Sequence, residues 1–528
     1  MELIKKNIHM DRYRCKAATQ ITLDDDRNVP DNKPDMEFII FNQGNIRIDE
    51  IKAGEDRAQV SGKLFFNVLY ISEEEGRKIG ILEGSIPFQE QIYMEGLHNN
   101  NAVMVQSELE DLTTTLINSR KFSVQAVLSL TLCVDEIVDE ETSVDINVIK
   151  DGTGTETMPI EFRKKAIEIS ELAIQKKDVF RIKEEVQLPS DYPNIFELLW
   201  KDVQIHIPEV KAMEEKLSLQ GEMTLFFLYE GEGEEHPIRW YEAKVPINGE
   251  IECHGCKDTF IPEVQFNIPH IEMDVRPDFD GEERVVGIEI PMELQMKMYE
   301  QENIDIISDV YGIRNEINAV TKTGHYKNLL IRNNGKFALT DKIKIDAEKG
   351  RILQICHCEG TAQIDDIVEK ENGIEIEGSV FTRVLYVTNE DHIPFQATEA
   401  NIPFRHMVDV PGMQKDCEKK IQIEVADMNA TMIDSEQMDV KLNLAVSAIV
   451  FQQMEEEIIT DIQTEDLDVN KLRALPSIVV YIVKPGDTLW QIGKKYYMSV
   501  DQIKAINNLT SDTIYPGDKL ILVKNICM

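Results

Sequence analysis

Two short motifs place cysteine and histidine at spacings that could hold a metal ion. Cys253-His-Gly-Cys256 and Cys356-His-Cys358 together offer four thiolates and two imidazoles, which are ligands that zinc prefers. A zinc site would need both motifs to come together in the fold. Whether they do depends on where each motif lies in the chain's internal repeats, which are described below.

Signatures of catalysis are missing from the sequence. It contains no Gly-x-Ser-x-Gly, no phosphate-binding loop and no His-Glu-x-x-His. Asp and Glu total 96, so any chance pair of carboxylates carries no information, and a solvated acidic surface explains them. We therefore predict that the chain is not an enzyme and has no catalytic residues. A hydrolase with a separate targeting domain is the enzymatic alternative, and it would require a catalytic unit.

Composition limits the partners and the compartment. The 96 acidic residues outnumber 56 basic ones, and the net charge of −40 disfavours nucleic acid and anionic lipid as partners. Eight cysteines at irregular spacings do not form a secreted disulfide framework. The N-terminal residues include charges and no apolar segment, and no run of 18 apolar residues occurs anywhere. We expect a cytoplasmic protein without a transmembrane segment.

The body of the chain repeats one unit three times. An apolar segment that begins with Gly and ends with Tyr recurs at residues 62–70, 221–229 and 378–386, at spacings of 159 and then 157 residues. Each copy is followed by a Pro in an apolar trio and then by a turn Gly. We predict repeat 1 at 1–150, repeat 2 at 151–305, repeat 3 at 306–458, a linker at 459–478 and a small domain at 479–525.

This register places the cysteines among apolar residues. Cys256 falls where the other copies have Leu97 and Met413. The same register places Cys356 at the position of Ile40 in repeat 1 and Leu199 in repeat 2. The two motifs also lie in different repeats, so we expect the cysteines to behave as small apolar residues. We expect no metal and no cofactor.

Strand patterns dominate the repeats. Residues 122–132, 285–296 and 440–450 alternate apolar and polar side chains, which indicates sheets with one buried face. We predict a mostly β protein, with three antiparallel β domains built as sandwiches or open barrels. The long period indicates separate domains. Helix is expected only near residues 195–200 and 162–174 of the body.

The last fifty residues predict a β-α-α-β unit. Residues 481–483 and 520–522 form its strands, and Pro-Gly-Asp turns follow the first and precede the second. Thr488 with Gln491, and Ser499 with Gln502, are capping boxes that open two helices. We expect Trp490 to pack in the core of this unit.

This unit resembles a LysM domain through both of its turns. The resemblance implies a groove that binds N-acetylglucosamine glycans. Gly493, where the family usually has Ala, and Tyr497-Met498, where a small turn is usual, add a possible protein-binding patch with Leu489 and Ile514. The predicted groove and partner-binding residues are Gly486, Asp487, Thr488, Leu489, Tyr497, Met498, Ile514, Tyr515 and Pro516.

The repeats resemble the SPOCS repeats of clostridial spore coat proteins, on the leader at residues 188–195, the Gly-to-Tyr strand and the Ile-Pro-Phe segment. With the LysM unit, the whole chain is similar to the SipL-like coat morphogenetic proteins. That resemblance implies a non-enzymatic scaffold in the mother-cell cytoplasm, at the forespore surface, which docks to the coat basement-layer ATPase and other coat proteins. The alternative is a peptidoglycan-binding cell-wall or cortex protein.

Overall fold

The computed structural model describes residues 2–73, 79–147, 159–233, 236–346, 349–390, 393–414, 417–466 and 476–523. Within these ranges the chain is almost entirely antiparallel β-strand, and two short helices lie near its C-terminus. The predicted mostly β architecture is confirmed. The centre of the predicted linker, at 467–475, and the acidic turn at 74–78 lie outside the described residues.

Each repeat folds into two facing sheets, one of long strands and one of shorter strands. In repeat 1 the long sheet has the order β1-β6-β5 and the short sheet the order β2-β3-β4. Their bounds are β1 Glu2–Asn28, β2 Met36–Gly54, β3 Arg57–Ser72, β4 Ile79–Tyr93, β5 Val103–Asn118 and β6 Lys121–Asn147.

Repeat 2 follows the same plan, except that the strand equivalent to β5 is split into two shorter strands. Strand β13 pairs with β7, β11 and β12, and the short sheet has the order β10-β9-β8. The bounds are β7 Ile160–Gln187, β8 Ile195–Met213, β9 Lys216–Gly231, β10 Ile238–Glu252, β11 Ile261–Asn267, β12 Glu272–Pro277 and β13 Glu283–Gly312.

Repeat 3 returns to the plan of repeat 1, with sheets β14-β19-β18 and β15-β16-β17. The bounds are β14 Asn315–Lys344, β15 Ile352–Lys370, β16 Gly373–Thr388, β17 Phe395–Asp409, β18 Cys417–Asp434 and β19 Gln437–Asp466. Strand β19 therefore runs into the predicted linker. In the C-terminal unit, β20 Ile478–Ile482 pairs with β21 Lys519–Val523, and α1 Leu489–Tyr496 and α2 Val500–Asn507 lie between them.

Alternation along the repeated strands builds a core within each sandwich. In β3, Leu64, Phe66 and Val68 are buried against the facing sheet, as the sequence pattern predicts. The repeated Tyr near the end of this strand, Tyr70, donates a hydrogen bond from its hydroxyl to the carbonyl of Pro34 in repeat 1. In repeat 3 the acceptor is the carbonyl of Lys349, so the diverged leader keeps the same contact.

The prediction of two helices in the body is wrong. Residues 195–200 begin strand β8, and residues 162–174 lie within strand β7. Both segments contact protein on more than one side, because neighbouring repeats pack against them. Burial on two faces removes the alternation that identifies a strand in a sequence.

The three repeats pack against one another around a common centre, so they are not independent units along the chain. Leu69, Leu228 and Leu385, which occupy the same position in the repeated strand, are all buried in one hydrophobic cluster. A second cluster joins Ile8, Ile169 and other residues of the long strands from all three repeats. The body is thus a pseudo-threefold assembly within one chain.

Beside these clusters lies a buried group of charges to which every repeat contributes. Asp11 accepts hydrogen bonds from Lys297 at 2.8 Å and from the hydroxyl of Tyr299 at 2.9 Å, and it also pairs with Lys327. Lys420 reaches Glu263 at 2.7 Å. We call this group the charged junction, and it comprises Asp11, Asp135, Glu263, Lys297, Tyr299, Lys327, Glu418 and Lys420.

Asp11 is charged in this setting. Burial by itself raises the pKa of Asp11, but the charges of Lys327, Lys420 and Lys297 outweigh it and hold the pKa well below its usual range. Removing this carboxylate would take away the close ion-pair partner of Lys327, whose other carboxylate neighbour, Glu418, lies 3.9 Å away. Breaking a buried ion pair in this way is far more costly than losing an exposed one.

We predict that Asp11→Asn lowers the free energy of unfolding by about 3–5 kcal/mol, as breaking a buried ion pair does. Asp26→Asn on the same strand is the matched control. Asp26 pairs with Lys121 at 2.6 Å on the surface, and losing that pair should cost about 0–1 kcal/mol. Urea denaturation of both variants measures the difference. Equal midpoints would contradict a stabilising role for the charged junction.

Candidate functional site

Two Pro-Gly-Asp turns define the candidate groove, at residues 484–487 and 515–518. In each turn the Asp side chain accepts the backbone N–H of the residue three positions earlier, at 2.7 Å and 2.8 Å. Gly486 and Gly517 have φ of +88° and +96°, which a type II turn requires at this position. Backbone hydrogen bonds from Val483 to Asp518 and from Gly517 to Val483 hold the turns side by side.

The predicted groove residues are only partly accessible. Gly486, Thr488, Tyr515 and Pro516 are exposed at the surface between the turns, and Tyr515 is 67% exposed. The Asp487 carboxylate is engaged, because it accepts hydrogen bonds from the Tyr481 hydroxyl and the Lys484 N–H. The Lys484 N–H and the Tyr481 hydroxyl lower the pKa of Asp487. Asp487 Oδ2 is therefore occupied within the turn, where it helps to shape the groove.

Both predicted capping boxes are confirmed. The Gln491 N–H donates to Thr488 Oγ1, and the Thr488 N–H donates to Gln491 Oε1, each at 3.2 Å. Ser499 and Gln502 form the same reciprocal pair at the start of α2. These caps satisfy backbone donors that a helix start leaves open, so each short helix begins at a defined residue.

The predicted apolar patch of Leu489, Tyr497, Met498 and Ile514 does not form. Leu489 and Met498 are each 2% exposed and belong to the core of this domain, and Ile514 packs against that core. Tyr497 ends α1 in the left-handed conformation with φ of +56°. The extra bulk of Met498 thus fills the domain's own interior, whereas Tyr497 is half-buried.

Trp490 is a contact residue, and the prediction that it packs in the domain core is wrong. Its indole N–H donates to Asp309 Oδ2 of β13 at 2.7 Å, and Lys494 donates to Asp309 Oδ1 at 2.6 Å. The ring packs edge-on against Tyr311, with ring centroids 4.8 Å apart. The C-terminal domain is therefore docked on repeat 2.

Gly493 explains how closely the C-terminal domain approaches repeat 2. The Tyr311 hydroxyl donates to the carbonyl of Met498 at 2.9 Å. A Cβ on residue 493 would lie 2.6 Å from the Tyr311 hydroxyl and 2.6 Å from the Met498 carbonyl oxygen. The unusual glycine thus makes room for Tyr311. We call Asp309 and Tyr311, together with Trp490, Gly493 and Lys494, the docking contact.

A further face of the domain is apolar and uncovered. Ile478, Val480 and Ile482 point outward from β20 and are 63%, 62% and 56% exposed. Ile521 on β21 is 45% exposed beside them. We call these four residues the sheet face. Sequence reasoning missed it, although an alternating strand without a second layer to cover it is the signal that could have shown it.

The cysteines take apolar positions, as predicted. Cys253 and Cys256 are buried in the core of repeat 2, and Cys356 is buried with Ile40 and Leu199 in the central cluster. Burial raises the pKa of Cys256 to about 11 and that of Cys356 to about 12. These thiols are therefore protonated at neutral pH and poorly suited to nucleophilic attack.

One group in the described residues has the donor set of a metal site, namely Asp202, His357 and Glu359. His357 Nε2 lies 3.0 Å from Asp202 Oδ2, and its ring stacks on Phe226 at 3.9 Å. Arg383 pairs with Glu359. His357 and Arg383 thus each pair with one carboxylate of this group, so its carboxylates already have cationic partners from the chain itself.

His357 carries a proton in this group. Burial alone lowers the pKa of His357, but the hydrogen bond to Asp202 and the nearby Glu242 carboxylate, 3.8 Å from Nδ1, raise it to about 9.

In the described part of the chain, no helix has the length and apolar character needed to cross a membrane.

Comparison with known proteins agrees with this division of the chain. A family model described as SipL, SPOCS domain matches residues 35–117, 194–276 and 351–433, and a LysM domain model matches 481–523. Each SPOCS match spans the short sheet of one repeat and continues into its long sheet. No solved structure is significantly similar to the chain.

Curated proteins with a similar segment match this chain in its C-terminal domain. A Lactococcus lactis protein named as a probable N-acetylmuramidase is 60% identical over 42 residues, which is 8% of this chain and 10% of that protein. The N-acetylmuramoyl-L-alanine amidase sle1 of Staphylococcus saprophyticus is 55% identical over 40 residues, which is 8% of this chain and 12% of that protein. The chain thus spans about a tenth of the length of these relatives.

We predict that Asp309→Ala releases the C-terminal domain from repeat 2. The variant loses two hydrogen bonds to a charged acceptor, each worth about 1.5–3 kcal/mol. NMR signals of residues 476–523 should sharpen, because a released small domain tumbles faster than the whole chain.

Asp461→Ala is the matched control for this release. Asp461 accepts the same hydrogen bond from the next backbone N–H as Asp309 does, but among the described residues no hydrogen bond or ion pair joins it to the C-terminal domain. Identical spectra for the two variants would contradict the docking contact.

We predict that the protein loses stability as the pH rises from about 6.5 to about 9. The pKa of His357 is higher in the folded state than in the unfolded state, so its stabilising contribution is complete below 6.5 and is lost as the pH rises through 9. The loss is about 3 kcal/mol at most.

Repeat 1 supplies the residues for a variant that removes this pair. Phe41 in repeat 1 corresponds to Trp200 in repeat 2 and to His357 in repeat 3. Gln43 corresponds in the same way to Asp202 and Glu359. A double variant, His357→Phe with Asp202→Gln, should flatten this part of the stability profile in urea titrations at several pH values. An unchanged slope would assign the pH dependence to other groups.

Proposed function

We propose that this chain, which is built from three SipL-type SPOCS domains and a C-terminal LysM domain, is a non-enzymatic scaffold of endospore coat assembly. It would act in the mother-cell cytoplasm at the forespore surface and hold coat layers by protein–protein binding. The domains found are binding domains, and similarity to known enzymes covers only their LysM regions.

The sheet face of the LysM domain is the observation that carries this proposal. Ile478, Val480, Ile482 and Ile521 form a continuous apolar surface on a domain of fewer than fifty residues. Contiguous exposed apolar residues of this kind mark surfaces that bind other proteins. The partner we propose is the coat basement-layer ATPase, with other coat proteins bound by the repeats.

The arrangement of the body supports a scaffold role. The three SPOCS domains are joined by shared hydrophobic clusters and by the charged junction, so they form one platform. The docking contact adds the LysM domain to that platform in one orientation. Two proteins bound at different points of the platform would be kept at a constant separation, which is the task of a scaffold.

Glycan binding is the second candidate, and the open groove favours it. Thr488, Tyr515 and Pro516 are exposed between the two turns, and none of the three belongs to the docking contact. Relatives of this domain occur in proteins named as a probable N-acetylmuramidase and an N-acetylmuramoyl-L-alanine amidase. In this alternative the LysM domain holds N-acetylglucosamine units of peptidoglycan, and the repeats act as a spacer.

One pair of titrations separates the two candidates. The full-length protein is titrated with the purified basement-layer ATPase and with chitin oligomers. Val480→Asp would place a charge in the apolar contact, and we predict that it weakens ATPase binding by about 2 kcal/mol or more, as loss of an interface hot spot does. The same variant should bind chitin oligomers like the parent protein.

Tyr515→Ala is the reciprocal variant, because it alters the groove and leaves the sheet face intact. It should weaken chitin binding and leave ATPase binding unchanged. Chitin binding without any measurable ATPase binding would refute the scaffold and support the glycan-binding alternative. Loss of both activities in Val480→Asp together with a lower melting temperature would mean that the variant is misfolded, so Ile482→Ser serves as a milder second substitution.

A further inference from the structure

A cavity of about 650 Å³ opens where repeats 2 and 3 meet, next to the charged junction. Strand β11 of repeat 2 lines one side through residues 262–266, and strand β18 of repeat 3 lines another through residues 419–424. Tyr13 and Lys16 of repeat 1 complete the wall. The volume lies in the range of protein ligand sites.

The charge of this cavity is opposite to that of the whole protein. Acidic residues outnumber basic ones by 96 to 56 in the chain, yet basic residues predominate in the cavity lining. The basic residues of the lining are Lys16, Arg332, Lys336, Lys419 and Lys420, and its acidic residues are Glu263 and Glu424.

Three of these cations have no carboxylate partner in the described part of the chain. Lys420 pairs with Glu263 and Lys419 with Glu369, which accounts for two of the five. Arg332 donates only to the carbonyl of Val210, at 3.1 Å, and Lys336 only to His206 Nε2, at 3.3 Å. Lys16 makes no ion pair among the described residues. On so acidic a protein, three unpaired cations around one cavity indicate an anionic occupant.

The walls of the cavity favour an extended chain as that occupant. Among the described strands, β11 and β18 are edge strands, since β11 pairs only with β13 and β18 only with β19. Edge strands present backbone N–H and C=O groups that a further strand can pair with. Pro262 lacks an N–H, so pairing along β11 would use residues 263–267.

Apolar side chains complete the lining. Ile205, Phe266 and Ile423 face the cavity, and Phe266 is 37% exposed. A small inorganic anion would leave these side chains without a contact. An acidic peptide with apolar residues at alternate positions would engage the cations, the apolar side chains and an open strand edge together.

We propose that this cavity, which we call the junction groove, binds an acidic, extended polypeptide segment of a partner protein by strand addition. The site lies on the SPOCS domains and is independent of the LysM domain. It therefore goes beyond the proposed function and does not depend on the partner of the LysM domain.

Fluorescence anisotropy of labelled peptides tests this inference on the full-length protein. The probe is a peptide of alternating Glu and Val, and an alternating Lys and Val peptide is its counterpart. We expect the acidic probe to bind and the basic one not to bind. Binding should weaken as salt increases, because the charges lie near the surface.

The double variant Arg332→Ala with Lys336→Ala should weaken binding of the acidic probe by about tenfold or more, as loss of contacts to charged groups does. The matched control, Lys342→Ala with Lys441→Ala, removes two exposed cations outside the junction groove and should bind like the parent. Equal weakening in both double variants would overturn the proposal, since it would show a response to net charge alone.

Three further outcomes would also overturn it. An acidic probe with N-methylated backbone at alternate residues cannot pair with a strand edge, so unchanged binding of this probe would refute strand addition. Displacement of the probe by inorganic phosphate at equal concentration would identify a simple anion site. Dissociation of a dimer in the Arg332→Ala, Lys336→Ala variant, observed by sedimentation, would identify a second copy of the chain as the occupant.

Discussion

The buried carboxylate of Asp11 is the group on which the arrangement of the body depends. A charge removed from water must be paired, or its desolvation makes the fold unstable. Asp11 lies on β1 of repeat 1, but its partners Lys297 and Lys327 belong to repeats 2 and 3. No single repeat can satisfy this carboxylate, so the charged junction favours the structure in which all three are assembled.

Repetition alone would not produce that junction. Asp11, Ser170 and Lys327 each lie shortly before a β-bulge at the same place in the first long strand of their repeats. Three aspartates or three lysines meeting at this point would repel one another. Divergence of the equivalent positions into acidic, neutral and basic residues converts a repulsive centre into an attractive one. Glu263 and Lys420, which occupy equivalent positions in β11 and β18, pair with each other in the same way.

Sequence reasoning located those features that a local pattern encodes. The repeat register, the alternating strands and both capping boxes depend on residues close together in the chain, and the structure contains all of them. Trp490 was misplaced because its partner Asp309 lies 181 residues earlier and no local pattern connects the two. Leu489 and Met498 were taken for surface residues because the sequence shows that they are apolar but not which side of a small domain is covered.

The docking contact makes one end of the pseudo-threefold body different from the other two. Asp145, Asp309 and Asp461 occupy equivalent positions at the ends of the long strands, and each accepts the N–H of the next residue. Only repeat 2 follows this Asp with a tyrosine two residues later, where the other repeats have Asn147 and Gln463. The LysM domain can therefore dock at one of three similar ends, because Gly493 leaves room for the hydroxyl of Tyr311 there. A body with three similar ends thus presents its LysM groove and sheet face at a single place, while the junction groove lies among the repeats and remains available to a different partner.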